Sequence, residues 1–361
     1  MIMKKTVLAT VVIVLFLLGV ISLTACDKLG INKQKEYTTR TKTISYEHFN
    51  TVSVFSSYGN TTEEEFDGYV KTADDMLAYY HKLFDIYNAY PDINNLKSIN
   101  DNAGKQSVEV EKELIEFLGY CKQLYVLTNG KTNIMLGSVL RIWHDTRELA
   151  SENGGWLDEE LLPKESRLLE AATHTSIDFL VIDEEAGTVY ITDPEASIDV
   201  GAIAKGYVVT KLVAELKAQG AAAVALNIGG NVATIGLKPD GGFWVTGITN
   251  PDRTAEENII CKVEIGETSV VTSGDYERFF ISGDERYHHV IDTETLWPAE
   301  YFASVSVFSE DAGLADALST ALFCMSYEEG LALISSLEAI DVLWIYKDGT
   351  MKMTDGVRMK E

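Results

Sequence analysis

Proline, cysteine and basic side chains are all scarce in this sequence, and each scarcity excludes a class of protein. With only 6 prolines among 361 residues, the chain is not collagen-like. With 4 cysteines, it does not rely on a disulfide framework. The 30 lysines and arginines are outnumbered by 55 aspartates and glutamates, and the resulting formal net charge of −25 would repel a phosphate backbone. We therefore expect no nucleic-acid partner.

The sequence does contain enough apolar material for a substantial core. Hydrophobic residues make up 46% of the chain and aromatic residues 10%. These proportions exclude a mainly disordered chain and a polytopic membrane protein. A chain of this length forms one large domain or two of moderate size, and no linker divides it clearly.

The first 26 residues have the pattern of an export signal. Lys4 and Lys5 precede an uncharged run over residues 6–25, and the run ends in Leu23-Thr24-Ala25-Cys26. These last four residues resemble the lipobox of bacterial lipoproteins, which implies cleavage before Cys26 and attachment of a diacylglycerol to its thiol. An uncleaved transmembrane anchor is the alternative, because about twenty uncharged residues can span a bilayer. In both cases we expect an exported body, anchored to the outer face of the cell membrane.

The signal divides the chain into a signal peptide over 1–25, a tether over 26–45 and a domain over 46–361. The tether is expected to be flexible because it carries five basic residues, only two acidic ones and no apolar periodicity. The other cysteines, Cys121, Cys261 and Cys324, lack CxxC or metal-ligand spacing. We interpret them as buried thiols.

The order of predicted elements indicates an α+β protein and not a regularly alternating parallel sheet. A capping box at Thr61-x-x-Glu64 predicts the start of a first helix, and Tyr87 to Gly104 is turn-rich and predicted to be loop. Strands are predicted from Ile177 onward. The other predicted helices cover Val110 to about Asn129, Gly206 to Gln219, Asp311 to Met325, and Glu328 to Ser336.

Two glycine-rich turns follow predicted strands and could approach a ligand closely. In the stretch from Asp199 to Gly206, a glycine turn opens a helix, so its backbone N–H groups and Lys205 could bind a phosphate. Asn227-Ile-Gly-Gly-Asn231 ends a buried strand in a similar way. Taken alone, the first stretch favours a tight strand-to-helix turn with a solvated Lys205, because it lacks the spacing of a Walker motif.

A histidine pair and a later helix carry further chemistry. His288 and His289 are adjacent on a predicted strand, so at most one of them can readily face a given site. Asp316 and Thr320 are four residues apart on a predicted helix, which places a carboxylate and a hydroxyl on one face. Because their neighbours are apolar, the carboxylate needs a partner or a cation, and two hard oxygens suit Mg²⁺. A solvent-facing polar stripe is the alternative.

Six motifs stand in an order that resembles one known family. They are DVGAIAKGY, ALNIGGN, FWVTGITNP, VTSGDYERFF, YHHVID and LADALSTALF. In combination they are similar to the ApbE family, the FAD:protein FMN transferases, from about Phe49 to Met325. The resemblance implies an α+β, T-fold-related architecture of mixed sheets and packed helices around a central flavin cleft. It also implies an enzyme that binds FAD with Mg²⁺, releases AMP and transfers FMN to a threonine or serine hydroxyl.

The same resemblance implies a partner and a role for individual residues. The acceptor would be an exported or membrane redox protein, such as a redox-driven pump or an electron-transfer subunit. Asp316 and Thr320 match the side-chain metal ligands, Ala202 matches the residue that offers a carbonyl ligand, and His289 matches the single histidine of the family motif and is the expected catalytic residue. The expected contacts to the flavin nucleotide are Tyr87, Lys131, Thr132, Asn133, Asp199, Lys205 and Ile291.

Some positions depart from the family pattern. Thr210 stands where the family usually has aspartate, Leu296 where glycine is usual, and Thr132-Asn133 where Phe-Asp is frequent. Three other functions therefore stay open beside the transferase: an FAD pyrophosphatase that releases FMN and AMP, a flavin-binding lipoprotein without catalysis, and a solute-binding component of a transporter.

Overall fold

Strands and helices are interspersed over residues 38–360, the part of the chain that the computed structural model describes. The strands are β1 (Thr38–Ser45), β2 (Val52–Gly59), β3 (Val108–Glu109), β4 (Leu180–Asp183), β5 (Thr188–Ile191), β6 (Val224–Ile228), β7 (Asn231–Ile235), β8 (Trp244–Thr249), β9 (Ile259–Ile265), β10 (Ser269–Gly274), β11 (Phe279–Ser282), β12 (Glu285–His288), β13 (Ser304–Ser309), β14 (Asp341–Ile345), β15 (Met351–Met353) and β16 (Arg358–Met359). The helices are α1 (Glu63–Phe84), α2 (Leu96–Asp101), α3 (Lys112–Leu127), α4 (Gly137–Glu152), α5 (Glu165–Ala172), α6 (Ala204–Ala218), α7 (Ala312–Phe323) and α8 (Tyr327–Ile334).

An eight-stranded sheet in the order β1-β2-β6-β7-β10-β13-β14-β15 forms the centre of the fold. Every pairing between its strands is antiparallel, as are the pairings of the smaller sheets β3-β5-β4, β16-β9-β8 and β11-β12. The predicted α+β class is confirmed, and the sheets are antiparallel where mixed sheets were expected. Neighbouring strands such as β2 and β6 are far apart in sequence.

Helix α7 lies against the middle of this sheet, on β10 and β13, with α6 packed beside it. Its sequence is apolar around the whole circumference, which is typical of a helix enclosed by other elements. Strand β13 is buried along its full length, and ten of the twelve residues of α7 are buried. Polar side chains on α7 are therefore held inside the protein, where they need a partner.

Strand β1 corrects one prediction, because residues 38–45 were assigned to the flexible tether. They instead pair antiparallel with β2, from Thr38 opposite Gly59 to Ser45 opposite Val52. The side chains of β1 are mostly exposed, since the strand lies at the edge of the sheet. An edge strand needs few apolar residues, which is why its composition looked like that of a linker. The predicted signal peptide, Cys26 and the rest of the tether lie outside the described residues.

Two further differences concern the first helices. The capping box of α1 is formed by Thr62 and Glu65, one residue later than predicted. Within the predicted loop Tyr87–Gly104, residues Leu96–Asp101 form α2 because Asn95 caps its first turn. The predicted thiols Cys121 and Cys324 are buried, and Cys261 is partly buried. Across the described part of the chain, no helix is both long and apolar enough to cross a membrane.

Helix α4, which the sequence analysis did not predict, packs on the β11-β12 hairpin. The Trp143 indole stacks on the Tyr287 ring, with ring centroids 6.1 Å apart. Its Nε1–H donates to the Leu296 carbonyl at 2.9 Å. Leu157 joins the same apolar cluster after the helix ends. This cluster fixes the position of the segment that leads from β12 into His289.

Candidate functional site

The closest approach of α6 and α7 brings two of the six sequence motifs together. The backbone N–H of Gly206 donates to Oδ2 of Asp316 at 2.9 Å. A Cβ atom at Gly206 would lie 2.2 Å from the Ala312 carbonyl oxygen and 2.6 Å from Cβ of Asp316. Only glycine allows this approach, so the position of the first turn of α6 and the placement of the Asp316 carboxylate depend on each other.

Three oxygen groups at this crossing are available to a cation. Asp316 is 5% exposed, and burial raises the pKa of its carboxyl, although Lys205 and the Gly206 N–H oppose that shift. Among the described residues, nothing donates a hydrogen bond to the Ala202 carbonyl, and the Thr320 hydroxyl makes no hydrogen bond. A buried carboxylate with a free hydroxyl and a free carbonyl is the hard-oxygen donor set that Mg²⁺ prefers. The donor set therefore fits the expected metal.

The segment Lys131-Thr132-Asn133 is fixed against α7 by its side chains. Thr132 donates through Oγ1 to the Ala317 carbonyl at 2.7 Å, and Asn133 donates through Nδ2 to the Thr175 carbonyl at 2.9 Å. Lys131 forms ion pairs of 3.1 Å with Asp292 and with a second acid, Glu294. These side chains already have protein partners, so the segment offers its backbone to a ligand.

Asp199 and Tyr87, two other expected contacts, have different surroundings. The Asp199 carboxylate accepts a hydrogen bond from the Gly201 N–H at 2.9 Å, and burial raises the pKa of this carboxyl. Tyr87 is 60% exposed, and its ring lies 5.5 Å from the His144 ring. Because the Tyr87 ring is largely exposed, it can stack against a planar ring system.

The two adjacent histidines have separate environments. His288 donates through Nε2 to the Ala299 carbonyl at 2.8 Å and accepts from the Val290 N–H at 3.2 Å, which sets its tautomer. His289 has a buried Nδ1 with no hydrogen-bond partner. Burial, with the nearby positive charge of Arg278, lowers the pKa of His289 to about 3. His289 is therefore neutral and has an unused ring nitrogen, whereas His288 is bonded within the protein.

We expect His288 to make the fold sensitive to acid. Burial lowers its pKa from 6.5 to about 4, so the unfolded chain binds this proton more tightly between those values. The free energy of unfolding should fall as the pH drops from about 6.5 to about 4, by roughly 3 kcal/mol from this group. Urea unfolding at several pH values would measure the slope. In His288→Gln the slope should be shallower, and an unchanged slope would contradict the assignment.

Ile291 and Leu296 bracket a tight turn. Ile291 has its side chain in the apolar cluster of α4, and its backbone forms a bridge with Pro298, so it can meet a ligand only through the backbone. Leu296 has φ +64°, a left-handed conformation that favours glycine. This explains why glycine suits the position, and burial of the Leu296 side chain offsets the backbone strain here.

A side-chain network holds the start of α7, and Thr210 takes part in it. Asp311 caps the helix by accepting from the N–H groups of Gly313 and Leu314. Thr210 donates to Asp311 at 2.9 Å, and the Tyr120 hydroxyl donates to the other carboxylate oxygen at 2.9 Å. Thr210 thus holds the start of α7, the helix that carries Asp316. Thr210 itself is on α6, one helical turn after Gly206.

Two arginines whose charges act on Asp199 and His289 were not singled out from the sequence. Arg147 is on α4 and Arg278 immediately precedes β11. Both lie close enough to Asp199 for their charges to lower its pKa against the larger effect of burial. The only sequence signal for Arg278 was its place in the VTSGDYERFF motif, and Arg147 had none because α4 was not predicted.

Comparison with known sequences identifies relatives over most of the chain. The sequence model of the ApbE family matches residues 46–344. The FAD:protein FMN transferase of Treponema pallidum is 32% identical over 288 residues, which are 75% of this chain and 76% of the relative. The FAD:protein FMN transferase of Klebsiella pneumoniae is 26% identical over 295 residues, with 80% and 87% covered.

Solved structures share the same fold. The ApbE protein of Thermotoga maritima superposes with a TM-score of 0.74 at 24% identity, covering 88% of this chain and 97% of that one. The flavin transferase ApbE from Vibrio cholerae gives a TM-score of 0.71 at the same identity and coverage. The arrangement of sheet, α6 and α7 described above is therefore found in proteins of known structure.

Proposed function

The chain belongs to the ApbE family and is an FAD:protein FMN transferase, and we propose that it uses Mg²⁺ to move FMN from FAD to a threonine or serine hydroxyl, releasing AMP. The observation that carries the proposal is the crossing of α6 and α7. There a buried carboxylate, a hydroxyl and a backbone carbonyl remain available beside Lys205. A flavin-binding protein without catalysis would not need a buried carboxylate at this point.

Asp316, Thr320 and the Ala202 carbonyl would hold the magnesium ion in this proposal. When bound, it would supply positive charge to the phosphoryl oxygens and to the leaving phosphate. Lys205, next to Gly206 in the turn, would add a fixed charge that orients the diphosphate. Asp199, the segment 131–133 and Tyr87 would bind the rest of the flavin nucleotide.

The proposed reaction exchanges one phosphorus–oxygen bond for another. The acceptor hydroxyl oxygen forms a bond to the flavin-side phosphorus, the bridging bond of the diphosphate breaks, and AMP leaves with that electron pair. The hydroxyl proton moves to a base, and His289 is the proposed base because its ring makes no hydrogen bond with any described residue. A bound diphosphate would raise the low pKa of His289, because a nearby negative charge favours the imidazolium.

We also propose that the enzyme works outside the cytoplasm on an exported or membrane redox protein. The support is the signal pattern of residues 1–25 and Cys26 in the sequence. A lipid on Cys26 would keep the enzyme at the membrane surface, where such acceptors reside. Metabolic labelling with a lipid precursor, compared between the natural chain and Cys26→Ser, would test this: label on both would contradict it.

The transferase proposal is tested by mass spectrometry of an acceptor protein. The chain is incubated with FAD, Mg²⁺ and a carrier that bears an acceptor threonine, and parallel samples contain EDTA or a carrier with that threonine changed to valine. We expect the carrier to gain the mass of FMN only in the first sample, together with one AMP per FMN. Equal release of AMP and FMN without any carrier modification would instead identify an FAD pyrophosphatase.

A further inference from the structure

Arg147 and Arg278 are not held in salt bridges within the described residues, although acidic residues outnumber basic ones in this chain. Neither guanidinium makes an ion pair or a hydrogen bond with any residue that the structure describes. Arg147 is half-buried, and burial together with the positive charge of Arg278 lowers its pKa. Two neighbouring guanidinium groups repel each other, so their placement together needs an anion between or beside them.

The register of the β11-β12 hairpin places Arg278 at the histidine. The antiparallel pairs run from Ser282 opposite Glu285 to Phe279 opposite His288. Continued by one residue, the same register sets Arg278 opposite His289. Arg278 is therefore carried to the cleft by the same hairpin that presents the proposed catalytic histidine.

The geometry of α4 directs Arg147 toward the same hairpin. Trp143 and Arg147 are four residues apart, so they share one face of the helix. Trp143 on that face stacks on Tyr287 of β12 and donates to the Leu296 carbonyl. Arg147 lies one turn further along the same face of α4. Its positive charge acts to lower the pKa of both His289 and Asp199.

The charged groups with the largest effects on His289 are positive. They are Arg278, Arg147 and Lys205, on three different elements, with His288 as the adjacent ring. Asp199 carries a negative charge that acts on both arginines, and Glu148 also acts on Arg147. In the described part of the chain neither acid forms an ion pair with either arginine, and Asp199 accepts the Gly201 N–H. In a protein of net charge −25, this is a local cluster of positive charge, in which Arg147 is half-buried and Arg278 is exposed.

We propose that Arg147 and Arg278 form an anion subsite that binds a phosphate group of the FAD substrate, an inference that rests on the proposed function and extends it. Guanidinium groups match phosphate oxygens in a bidentate manner, which a lysine cannot reproduce. The diphosphate would then be held both by a magnesium ion bound at α7 and by this arginine pair. The pair would bind phosphate without the metal, so binding and catalysis can be measured separately.

The test compares ligands with and without phosphate in the presence of EDTA. FAD, riboflavin and inorganic pyrophosphate are titrated by calorimetry into the wild-type chain and into Arg147→Gln, Arg147→Lys and Arg278→Gln. We expect each glutamine variant to bind FAD and pyrophosphate roughly 10-fold or more weakly, as for loss of a charged hydrogen bond. Riboflavin, which has no phosphate, should bind unchanged, and Arg147→Lys should retain part of the affinity.

Arg141→Gln is the matched control, because Arg141 is exposed on the same helix and should leave all three affinities unchanged. Equal losses for riboflavin and FAD, or no loss for either, would overturn the subsite. A variant that binds FAD normally but needs more acceptor protein would also overturn it and assign the pair to an acidic acceptor surface. If the wild type transfers no FMN yet binds pyrophosphate through Arg147, the subsite stands and the proposed function fails.

Discussion

Asp316→Asn should reduce FMN transfer by at least about 100-fold, because changes that only touch the surroundings of a metal ligand already cost about 10- to 100-fold. The asparagine carbonyl can still accept the Gly206 N–H, so the crossing of α6 and α7 is preserved. The substitution removes the negative charge of the Asp316 carboxylate, which is buried without an ion-pair partner among the described residues. Transfer is measured by fluorescence of the flavinylated acceptor after gel electrophoresis.

The stability of Asp316→Asn separates loss of a ligand from loss of the fold. Without metal the variant should melt at or above the wild-type temperature, since an unpaired buried carboxylate is costly. Addition of Mg²⁺ with FAD should raise the melting temperature of the wild type and not that of the variant. Thr320→Ser should keep most activity and Thr320→Val should lose it. Full activity in both Asp316→Asn and Thr320→Val would contradict the metal assignment.

Gly206→Ala should destabilise the fold by about 3 kcal/mol or more, because its methyl group would overlap the backbone of α7. The contact distances are 2.2 Å to the Ala312 carbonyl oxygen and 2.6 Å to Cβ of Asp316. Neither atom is the end of a flexible side chain, so one helix must move away from the other. Urea unfolding would measure the loss, and transfer activity should fall with it.

Gly119→Ala is the matched control for this substitution. Gly119 is within α3, and a Cβ atom there would have nothing within 4 Å. Alanine is favoured over glycine inside a helix by about 1 kcal/mol, so this variant should be slightly more stable. If both variants shift the unfolding free energy in the same direction, the close crossing does not control stability.

The chemistry of the site was visible in the sequence because it is local. Asp316 and Thr320 lie one helical repeat apart, and the apolar residues around them already required a partner for the carboxylate. Lys205 follows a glycine turn that opens α6. Each of these inferences depends on spacing within a single element, which the sequence states directly.

Features that depend on distant pairing were not accessible in this way. Strand β1 looks like a linker until β2 is beside it. The pairing of β2 with β6 sets Ser53 opposite Ile228, far apart in the sequence. Helix α4 did carry a signal, with Val139, Ile142 and Trp143 at helical spacing. Arg147 could not be connected to Arg278 without knowing that α4 packs on the hairpin that follows Arg278.

Anomalous diffraction from crystals soaked with Mn²⁺ and FAD would show where the divalent metal binds. We predict one strong manganese peak bound by the Asp316 carboxylate and the Thr320 hydroxyl, with FAD phosphate oxygens completing its shell. Within residues 38–360, two other groups of side chains have metal-binding chemistry, namely Glu47, His48 and Asp74, and His144, Asp145 and Glu148. A peak at either of these groups, with FAD bound and no metal at Asp316, would contradict the account.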